Sequence, residues 1–387
     1  MIICNFFSIN TLHSVPLGWR TVDVLKLSTK RWCKSSRRVL ICSILVNSLF
    51  FFFLYTKIQD IYIPFKRPIP SDEDFTNQGI LPSSGVTTLT SSKAPETTTE
   101  PQTPVPYKAR GPYWVEYPHE YHFTINEPNK CELQKPFLVL MVPVAPRNRL
   151  HRNIIRSTWG NERLVLGKVV TLFFVLGQHI GEEAEQIQKQ LLEESEKHHD
   201  LIQGNFMDCY NNLTIKTMVM MEWLNLQCPN ISYAMKIDSD MFLNVPKLIS
   251  MLLNAPKTNY MTGSVIIGAR VFRDRESKWF LPESSYPDPY FPPYANGVGY
   301  VFTQDLPKKL VEASRHVKAL FLEDVYIGMC MLHLKLHFTN PPVPTYFHTG
   351  DLNYSRCGYS RLIYTQTSDL MDRIWIWKDF KKPGSYC

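Results

Sequence analysis

The sequence predicts an α/β fold with a mostly parallel central sheet, and two observations carry this prediction. Two continuous apolar runs, Phe137 to Val144 and Val169 to Gly177, suit strands that are buried on both faces. Helical patterns of about ten residues or more alternate with such runs, which is typical of βαβ units. With 387 residues and 44% hydrophobic content, the chain can bury the core that such a domain needs.

The other elements follow from hydrophobic periodicity, taken in chain order. From Arg149 to Trp159, arginine and isoleucine alternate at helical spacing, which predicts a helix. The further predicted elements are a charged amphipathic helix from Gly181 to His199, a short strand from Asp200 to Gln203, a helix from Leu213 to Gln227, a strand from Tyr233 to Ile237, a helix between Asp240 and Leu253, a strand from Tyr260 to about Gly268, and a helix that begins at Glu323.

Two carboxylates, Asp238 and Asp240, lie where the strand from Tyr233 to Ile237 ends. Buried ionised carboxylates are costly unless they are paired, and a divalent metal with the phosphates that it carries would compensate them. In mostly parallel sheets, ligands bind beyond the carboxyl ends of the strands, which is where these residues fall. The alternative is that they are ordinary turn or cap residues.

The net charge of +7 does not indicate nucleic-acid binding, because most of it lies at the N-terminus. Residues 1–38 contain seven lysine and arginine residues and one aspartate, which accounts for +6 of the total. The remaining chain carries only +1. A basic field over the folded part is therefore not expected, which argues against a nucleic-acid partner.

The basic segment borders Val39 to Tyr55, seventeen residues without a charge. As a helix this run spans about 26 Å, close to the roughly 27 Å of a thin secretory-pathway bilayer. A buried core helix is the alternative, but four consecutive phenylalanines flanked by basic residues are unusual for one. We predict a cytosolic tail at 1–38, an uncleaved transmembrane signal anchor at 39–56, a stem at 57–110 and a lumenal domain at 111–387.

The stem prediction depends on composition. Residues 83–106 are rich in serine, threonine and proline and nearly free of large aliphatic side chains. Such a segment cannot offset its ordering entropy by burial, so we expect a disordered, O-glycosylated spacer.

Cysteines and glycosylation sequons agree with a lumenal location. Six cysteines follow the stem, enough for up to three disulfides whose pairing the sequence leaves open. They are Cys131, Cys209, Cys228, Cys330, Cys357 and Cys387. Asn212, Asn230 and Asn353 begin N-glycosylation sequons. Asn230 is the least certain of the three because it lies close to a buried strand.

Two further segments each allow two interpretations. The loop from Arg270 to Tyr300 is rich in aromatic residues, which could stack on sugars or pack against one another. Glu323 and Asp324 open a helix, where acids serve as N-terminal caps about as often as they serve in catalysis.

Taken together, these stretches resemble the Golgi β1,3-galactosyltransferases and, next, the related β1,3-N-acetylglucosaminyltransferases. The matches follow one another in the family's order. They are Arg152 to Gly160, Phe174 to Gly177, Asp208 to Thr217, Lys236 to Asn244, Arg273 to Trp279, Tyr290 to Tyr294 and Glu323 to Cys330.

The resemblance implies a GT-A-type nucleotide-sugar-binding fold, a UDP-sugar donor, Mn²⁺ and inversion at the anomeric carbon. It implies that Asp240, directly or with Asp238, holds the metal, which neutralises the charge that grows on the leaving pyrophosphate. It also assigns Asp324 as the general base that removes the acceptor proton, with Glu323 in support.

The resemblance also suggests donor and sugar contacts. Arg152 and Arg156 match positions that line the donor pocket. Lys236 and Trp279 are candidates for donor and sugar contacts, respectively. For Trp159 we favour core packing over a role in the site.

The sequence departs from the family pattern in two places. Pro293 to Gly297 lacks the cysteine of many galactosyltransferases and is closer to the N-acetylglucosaminyltransferase version, which suggests a re-paired disulfide, for example through Cys209. Tyr364 stands where counting back from Trp375 places a histidine in other members. Three explanations stay open: His348 substitutes, the metal has only aspartate, phosphate and water ligands, or metal binding is weak.

The leading hypothesis is a type II Golgi membrane protein that moves galactose from UDP-galactose, in β1,3 linkage, to a terminal N-acetylglucosamine on a protein-linked or lipid-linked glycan. The first alternative is transfer of N-acetylglucosamine from its UDP-sugar by the same mechanism. The second is a non-catalytic lumenal protein that binds glycans, which the departure at Tyr364 motivates.

Overall fold

A computed structural model describes residues 113–367 and 369–387. The predicted tail at 1–38, the membrane anchor at 39–56 and the stem at 57–110 all lie outside the described residues. None of the helices within the described ranges is both long enough and apolar enough to cross a membrane.

The central sheet forms from the apolar runs that the sequence analysis singled out. Its strands are β1 (Phe123–Ile125), β2 (Leu138–Pro143), β3 (Leu164–Val165), β4 (Lys168–Gln178), β5 (Leu201–Met207), β6 (Tyr233–Ile237), β8 (Met261–Ile266) and β9 (Tyr294–Thr303). A second, three-stranded sheet contains β7 (Met241–Leu243), β10 (Phe347–Asp351) and β11 (Tyr364–Gln366).

The strand order in the large sheet is β1-β5-β4-β2-β6-β9-β8, with β3 paired to β4. The four central strands β5, β4, β2 and β6 are parallel. The other strands are antiparallel to their neighbours, including β9 beside β6. The prediction of a parallel sheet is therefore confirmed at the centre, and the sheet as a whole is mixed.

The helices cover both faces of the sheet. They are α1 (Lys130–Gln134), α2 (Arg149–Ser157), α3 (Ala184–His198), α4 (Leu213–Gln227), α5 (Val245–Leu252), α6 (Asp305–Ser314), α7 (Glu323–His333), α8 (Arg356–Ser360) and α9 (Leu370–Phe380). One buried cluster includes Met218 and Trp223 of α4, and the other includes Ile155 of α2 and Leu248 of α5. Trp159 packs in the second cluster, and its indole donates to the Met241 carbonyl at 3.0 Å, which confirms the core role.

Two predicted elements were wrong in part. A helix was predicted directly after Asp240, but β7 comes first, because it pairs with β11 more than a hundred residues later in the chain. The helix α5 begins only at Val245, where the Asn244 side chain accepts from the Lys247 backbone N–H at 3.2 Å and caps the helix. The predicted loop from Arg270 to Tyr300 ends earlier than expected, because β9 begins at Tyr294.

Two disulfides close large loops of the chain. Cys131–Cys228 joins α1 to the end of α4 across 97 residues, and Cys357–Cys387 joins α8 to the C-terminus across 30 residues. Neither includes Cys209 or Cys330. Two of the three possible bridges are therefore formed, and the suggested re-pairing through Cys209 is not among them.

Removal of the larger disulfide should destabilise the fold more than removal of the smaller one. By loop entropy, a loop of 97 residues corresponds to about 4–5 kcal/mol and one of 30 residues to about 3–4 kcal/mol. We expect the Cys131→Ser/Cys228→Ser variant to lose more free energy of unfolding in urea than Cys357→Ser/Cys387→Ser. Equal losses would contradict the loop-entropy argument.

Candidate active site

The candidate site lies at the carboxyl end of β6, where a buried lysine joins two carboxylates. The Lys236 side chain is 4% exposed, and its ammonium lies 2.7 Å from Asp238 Oδ1 and 3.1 Å from Glu323 Oε1. It also donates to the carbonyl of Gly297 in β9. Three segments that are distant in sequence therefore meet at one ammonium group.

Glu323 and Asp324 open α7 and face this cluster. Glu323 is 7% exposed, and its Oε2 accepts from the Tyr300 hydroxyl at 3.0 Å and from the Thr217 hydroxyl at 3.3 Å. The N-cap residue of α7 is Leu322, and no side chain caps the helix. Of the two interpretations of Glu323, the structure thus rejects the cap and places the residue in a buried polar network.

Asp324 is half-buried and is held by two backbone groups. Its Oδ2 accepts from the Gly297 N–H at 3.0 Å, and its Oδ1 accepts from the Val325 N–H at 2.9 Å. A Cβ atom added at Gly297 would lie 2.8 Å from Glu323 Oε1 and 3.2 Å from Asp324 Oδ2. Only glycine therefore allows β9 to approach both acids this closely.

The charges in this cluster interact strongly. Burial raises the pKa of Glu323, and Asp324 adds to the rise while Lys236 opposes it. Burial also raises the pKa of Asp324, against the N–H groups that it accepts from. Burial raises the pKa of Asp238 to about 6, where Lys236 opposes the shift and Asp240 reinforces it. The acids outnumber the single ammonium, so the site favours a cation.

The other predicted metal residue, Asp240, is fixed by the segment around the end of β11. Its Oδ2 accepts from the Gln366 side-chain amide at 3.0 Å. Its carbonyl accepts from both the N–H and the hydroxyl of Thr367, each at 3.0 Å. The small sheet of β7, β10 and β11 therefore holds this carboxylate in place.

A buried arginine also supports the turn between the two aspartates. Arg373 is 7% exposed, and its guanidinium donates to the Ser239 carbonyl at 2.9 Å and to the Thr367 carbonyl at 2.9 Å. It lies 3.3 Å from Nδ1 of His151. The sequence analysis missed Arg373 and His151, because their relation to the turn arises only from the tertiary fold.

The departure at Tyr364 has a structural explanation. Tyr364 is fully buried, and its hydroxyl donates to the Gly299 carbonyl at 2.8 Å, so its ring fills the core beside the site. Nδ1 of His348 lies 2.9 Å from the Gly350 carbonyl and 3.1 Å from the Thr365 hydroxyl. In the described part of the chain, no three His, Cys, Asp or Glu side chains are grouped as a metal site. His348 therefore does not complete such a set with the aspartates.

The two arginines predicted to contact the donor have other partners. Arg152 is 1% exposed and forms two parallel hydrogen bonds of 2.7 Å with the carboxylate of Glu194. Its remaining N–H groups reach carbonyls of the loop after β2. Arg156 pairs in the same way with Asp200 at 2.7 and 2.8 Å. These contacts favour a structural role, because the guanidinium groups are already engaged, and the donor contact stays a prediction.

The aromatic residues of the loop divide into buried and exposed ones. Phe291 and Tyr294 are buried and pack with their rings 6.3 Å apart. Trp279, in contrast, is 40% exposed, and its ring lies 5.1 Å from that of Phe272 and 4.7 Å from the ammonium of Lys278. Trp279 is therefore available at the surface, as its predicted sugar contact requires.

Sequence reasoning missed one further aromatic residue, Tyr210. It lies in the one-turn helix Tyr210–Asn212 that precedes α4 and is 45% exposed. Burial raises the pKa of Tyr210, and the negative charges of Asp324, Glu323 and Asp238 raise it further. Its ring lies 6.4 Å from that of Phe321, two residues before Glu323, which places it close to the acids. Its position within the matching stretch Asp208 to Thr217 was the available signal.

The three predicted glycosylation sites differ in accessibility. Asn230 and Asn353 are exposed. Asn212 is half-buried, its amide donates to the Met207 carbonyl at 2.9 Å, and Thr214 of the same sequon is buried. Asn230, the least certain from sequence, is thus accessible, whereas the amide of Asn212 is engaged in the fold.

The chain matches a protein-family model described as galactosyltransferase over residues 150–342. It is 41% identical over 271 residues to beta-1,3-galactosyltransferase 2 of Pongo abelii, covering 69% of this chain and 64% of that protein. It is 40% identical over 265 residues to beta-1,3-galactosyltransferase 1 of Mus musculus, covering 67% of this chain and 78% of that protein. The alignment thus spans a little under two thirds of the first relative's length.

Comparison with solved structures finds more distant likenesses. A WbbM bifunctional glycosyltransferase gives a TM-score of 0.34 at 12% identity, covering 60% of this chain and 46% of that chain. Mouse xyloside xylosyltransferase 1 gives a TM-score of 0.29 at 12% identity, covering 60% of this chain and 97% of that chain.

Proposed function

The chain belongs to the galactosyltransferase family, and on that premise we propose that it transfers galactose from UDP-galactose, in β1,3 linkage, to a terminal N-acetylglucosamine of a glycan. The observation that carries the proposal is the meeting of Lys236, Asp238, Glu323 and Asp324 at one edge of the sheet. This cluster brings Asp238, on the proposed donor side, close to Asp324, the proposed base. We assign the fold to the GT-A type.

The two aspartates fit a divalent cation such as Mn²⁺. Within the described residues, hydrogen bonds occupy Oδ1 of Asp238 and Oδ2 of Asp240, so each carboxylate has a second oxygen to offer. Carboxylate oxygens are hard ligands that suit such a cation, and phosphate and water oxygens can complete the set. When bound, the metal would neutralise the charge of the leaving diphosphate. Of the three explanations for the missing histidine, we favour the second, in which only aspartate, phosphate and water oxygens bind the metal.

Asp324 is the group best placed to accept the proton of the acceptor hydroxyl. The two backbone N–H groups fix its carboxylate, and burial raises its pKa and therefore its basicity. As the proton moves to Asp324, the acceptor oxygen forms a bond to the anomeric carbon, the bond to the diphosphate breaks, and UDP leaves. Attack from the face opposite the diphosphate inverts the configuration.

Lys236 and Glu323 act on this step through other groups. The ammonium of Lys236 orients Asp238 at 2.7 Å and adds positive charge close to the donor side. Glu323 holds Lys236 and fixes the start of the helix that carries Asp324. We assign both as positioning residues, and we extend the proposal to a type II anchor at 39–56 in the Golgi membrane, which the charge-free run supports.

Purified protein, UDP-galactose, Mn²⁺ and an aryl β-N-acetylglucosaminide test the proposal. We expect galactose transfer that is lost with a chelator and restored by Mn²⁺, and an NMR spectrum of the product that shows a β1,3 linkage. Calorimetry should show that UDP binds more tightly with Mn²⁺ than without it, and that Asp240→Asn removes this difference. The matched control is Asp372→Asn, an exposed acid on α9.

Each outcome distinguishes a hypothesis. Turnover of UDP-N-acetylglucosamine but not UDP-galactose would support the first alternative, which the sequence from Pro293 to Gly297 favours. Glycan binding without turnover of either donor would support the non-catalytic alternative. Transfer that persists in the chelator would contradict the role of the two aspartates.

A further inference from the structure

Two exposed aromatic side chains from different parts of the chain lie together beside the candidate base. Tyr210 precedes α4, and Trp279 lies in the loop between β8 and β9. They are 45% and 40% exposed. Tyr113 connects their surroundings, because its ring lies 6.1 Å from that of Phe321, which packs against Tyr210, and 5.8 Å from that of Phe280, which follows Trp279. Single exposed aromatics are common on protein surfaces. Two exposed aromatics in one aromatic cluster beside the candidate base call for a functional explanation.

Each of the two rings packs against another aromatic ring, which restricts its position. The ring of Tyr210 lies 6.4 Å from that of Phe321, which is two residues before Glu323. The ring of Trp279 lies 5.1 Å from that of Phe272. Because Phe321 and Asp324 belong to the same short segment, Tyr210 is held at a fixed place relative to the base.

The two rings are not equivalent as binding surfaces. The ammonium of Lys278 lies 4.7 Å from the ring centre of Trp279, so this ring already has a cationic partner. The ring of Tyr210 packs against Phe321, three residues before Asp324. Of the two, Tyr210 is therefore the ring that a molecule next to Asp324 would meet.

We propose that Tyr210 is the stacking surface for the terminal sugar of the acceptor. A hydroxyl can lose its proton to Asp324 only within hydrogen-bonding reach, so the ring that carries the hydroxyl must lie beside this acid. The C–H face of a pyranose is apolar and flat, and it matches an aromatic ring. This inference rests on the proposed function and defines the acceptor as a glycan end rather than a serine or threonine side chain.

The test compares acceptor and donor binding in the full-length protein. With Mn²⁺ and UDP-galactose, Tyr210→Ala and Tyr210→Leu should each raise the KM for an aryl β-N-acetylglucosaminide by about tenfold, the size of one aromatic contact. Tyr210→Phe should keep the KM near that of the wild type, because the ring remains. The kcat and the Kd for UDP should stay unchanged. The control is Tyr386→Ala, an equally exposed tyrosine in the C-terminal segment.

Saturation-transfer NMR with the same glycoside and UDP provides a readout that does not need turnover. We expect transfer to the sugar C–H protons in the wild type and Tyr210→Phe, and its loss in Tyr210→Ala and Tyr210→Leu. An unchanged KM and NMR signal in both latter variants would overturn the inference, as would an equal loss of UDP affinity. Absence of galactose transfer by the wild type, with the NMR contrast intact, would overturn the proposed reaction and keep the stacking surface.

Discussion

Asp324→Asn should lower kcat for galactose transfer by about 10²–10⁴-fold, the usual contribution of a positioned general base. The amide cannot accept the acceptor proton, whereas the donor side at Asp238 and Asp240 is unaltered. We therefore expect the Kd for UDP with Mn²⁺ to stay within about twofold of the wild type. Single-turnover kinetics and calorimetry measure the two quantities separately.

The substitution also has a structural effect that must be measured. Asp324 uses one oxygen for the Gly297 N–H and the other for the Val325 N–H, and an asparagine can satisfy only one of them. A loss of about 1 kcal/mol in the free energy of unfolding is expected from this change. Glu312→Gln, at an exposed acid of α6, is the matched control. Residual kcat above a tenth of the wild-type value would rule out Asp324 as the base.

Lys236→Met should destabilise the fold by about 3–5 kcal/mol, because it leaves a buried carboxylate without its partner. Glu323 is 7% exposed and lies 3.1 Å from the Lys236 ammonium, so it bears most of this penalty. Urea denaturation at pH 7 measures the loss. Lys309→Met is the control, since its pair with Asp305 is as short, at 2.7 Å, but its side chain is 37% exposed. Less than about 1 kcal/mol is expected there.

The pH dependence of the stability of the Lys236→Met variant tests whether the unpaired Glu323 carboxylate causes the loss. The folded-state pKa of Glu323 is already raised by burial and should rise further without the ammonium. Ionised Glu323 then opposes folding above its unfolded-state pKa, and protonation removes the penalty as the pH falls. We expect the deficit to shrink from pH 7 toward pH 5 and the added change Glu323→Gln to restore part of it at pH 7. If the loss of stability changed neither with pH nor with the added Glu323→Gln substitution, lost packing would be its cause instead.

The sequence predicted the parts of the fold that depend on local pattern. The apolar runs became β2 and β4, and the helix from Leu213 to Gln227 has the bounds that were predicted. It could not predict β7, because three residues form a strand there only through pairing with β11. It also could not anticipate that β9 runs antiparallel to β6, since strand direction depends on the chain path.

The site shows the same division between local and distant information. The carboxylates were predicted because their motifs are contiguous, and the structure connects Asp238 to the α7 acids through Lys236. The role of Arg152 was not predictable, because its partner Glu194 lies on another helix and carries no motif. Tyr210 was missed for a related reason, since its importance comes from neighbours in the fold.

Gly297 lies between the proposed base and the proposed donor side. Its N–H donates to Asp324 and its C=O accepts from Lys236, so one peptide segment of β9 contacts the proposed base and the group that orients Asp238. A displacement of this strand would therefore alter both the proposed deprotonation of the acceptor alcohol and the proposed binding of the nucleotide. We expect new acceptor preferences to arise from the surrounding loops, which can vary without moving this shared segment of backbone.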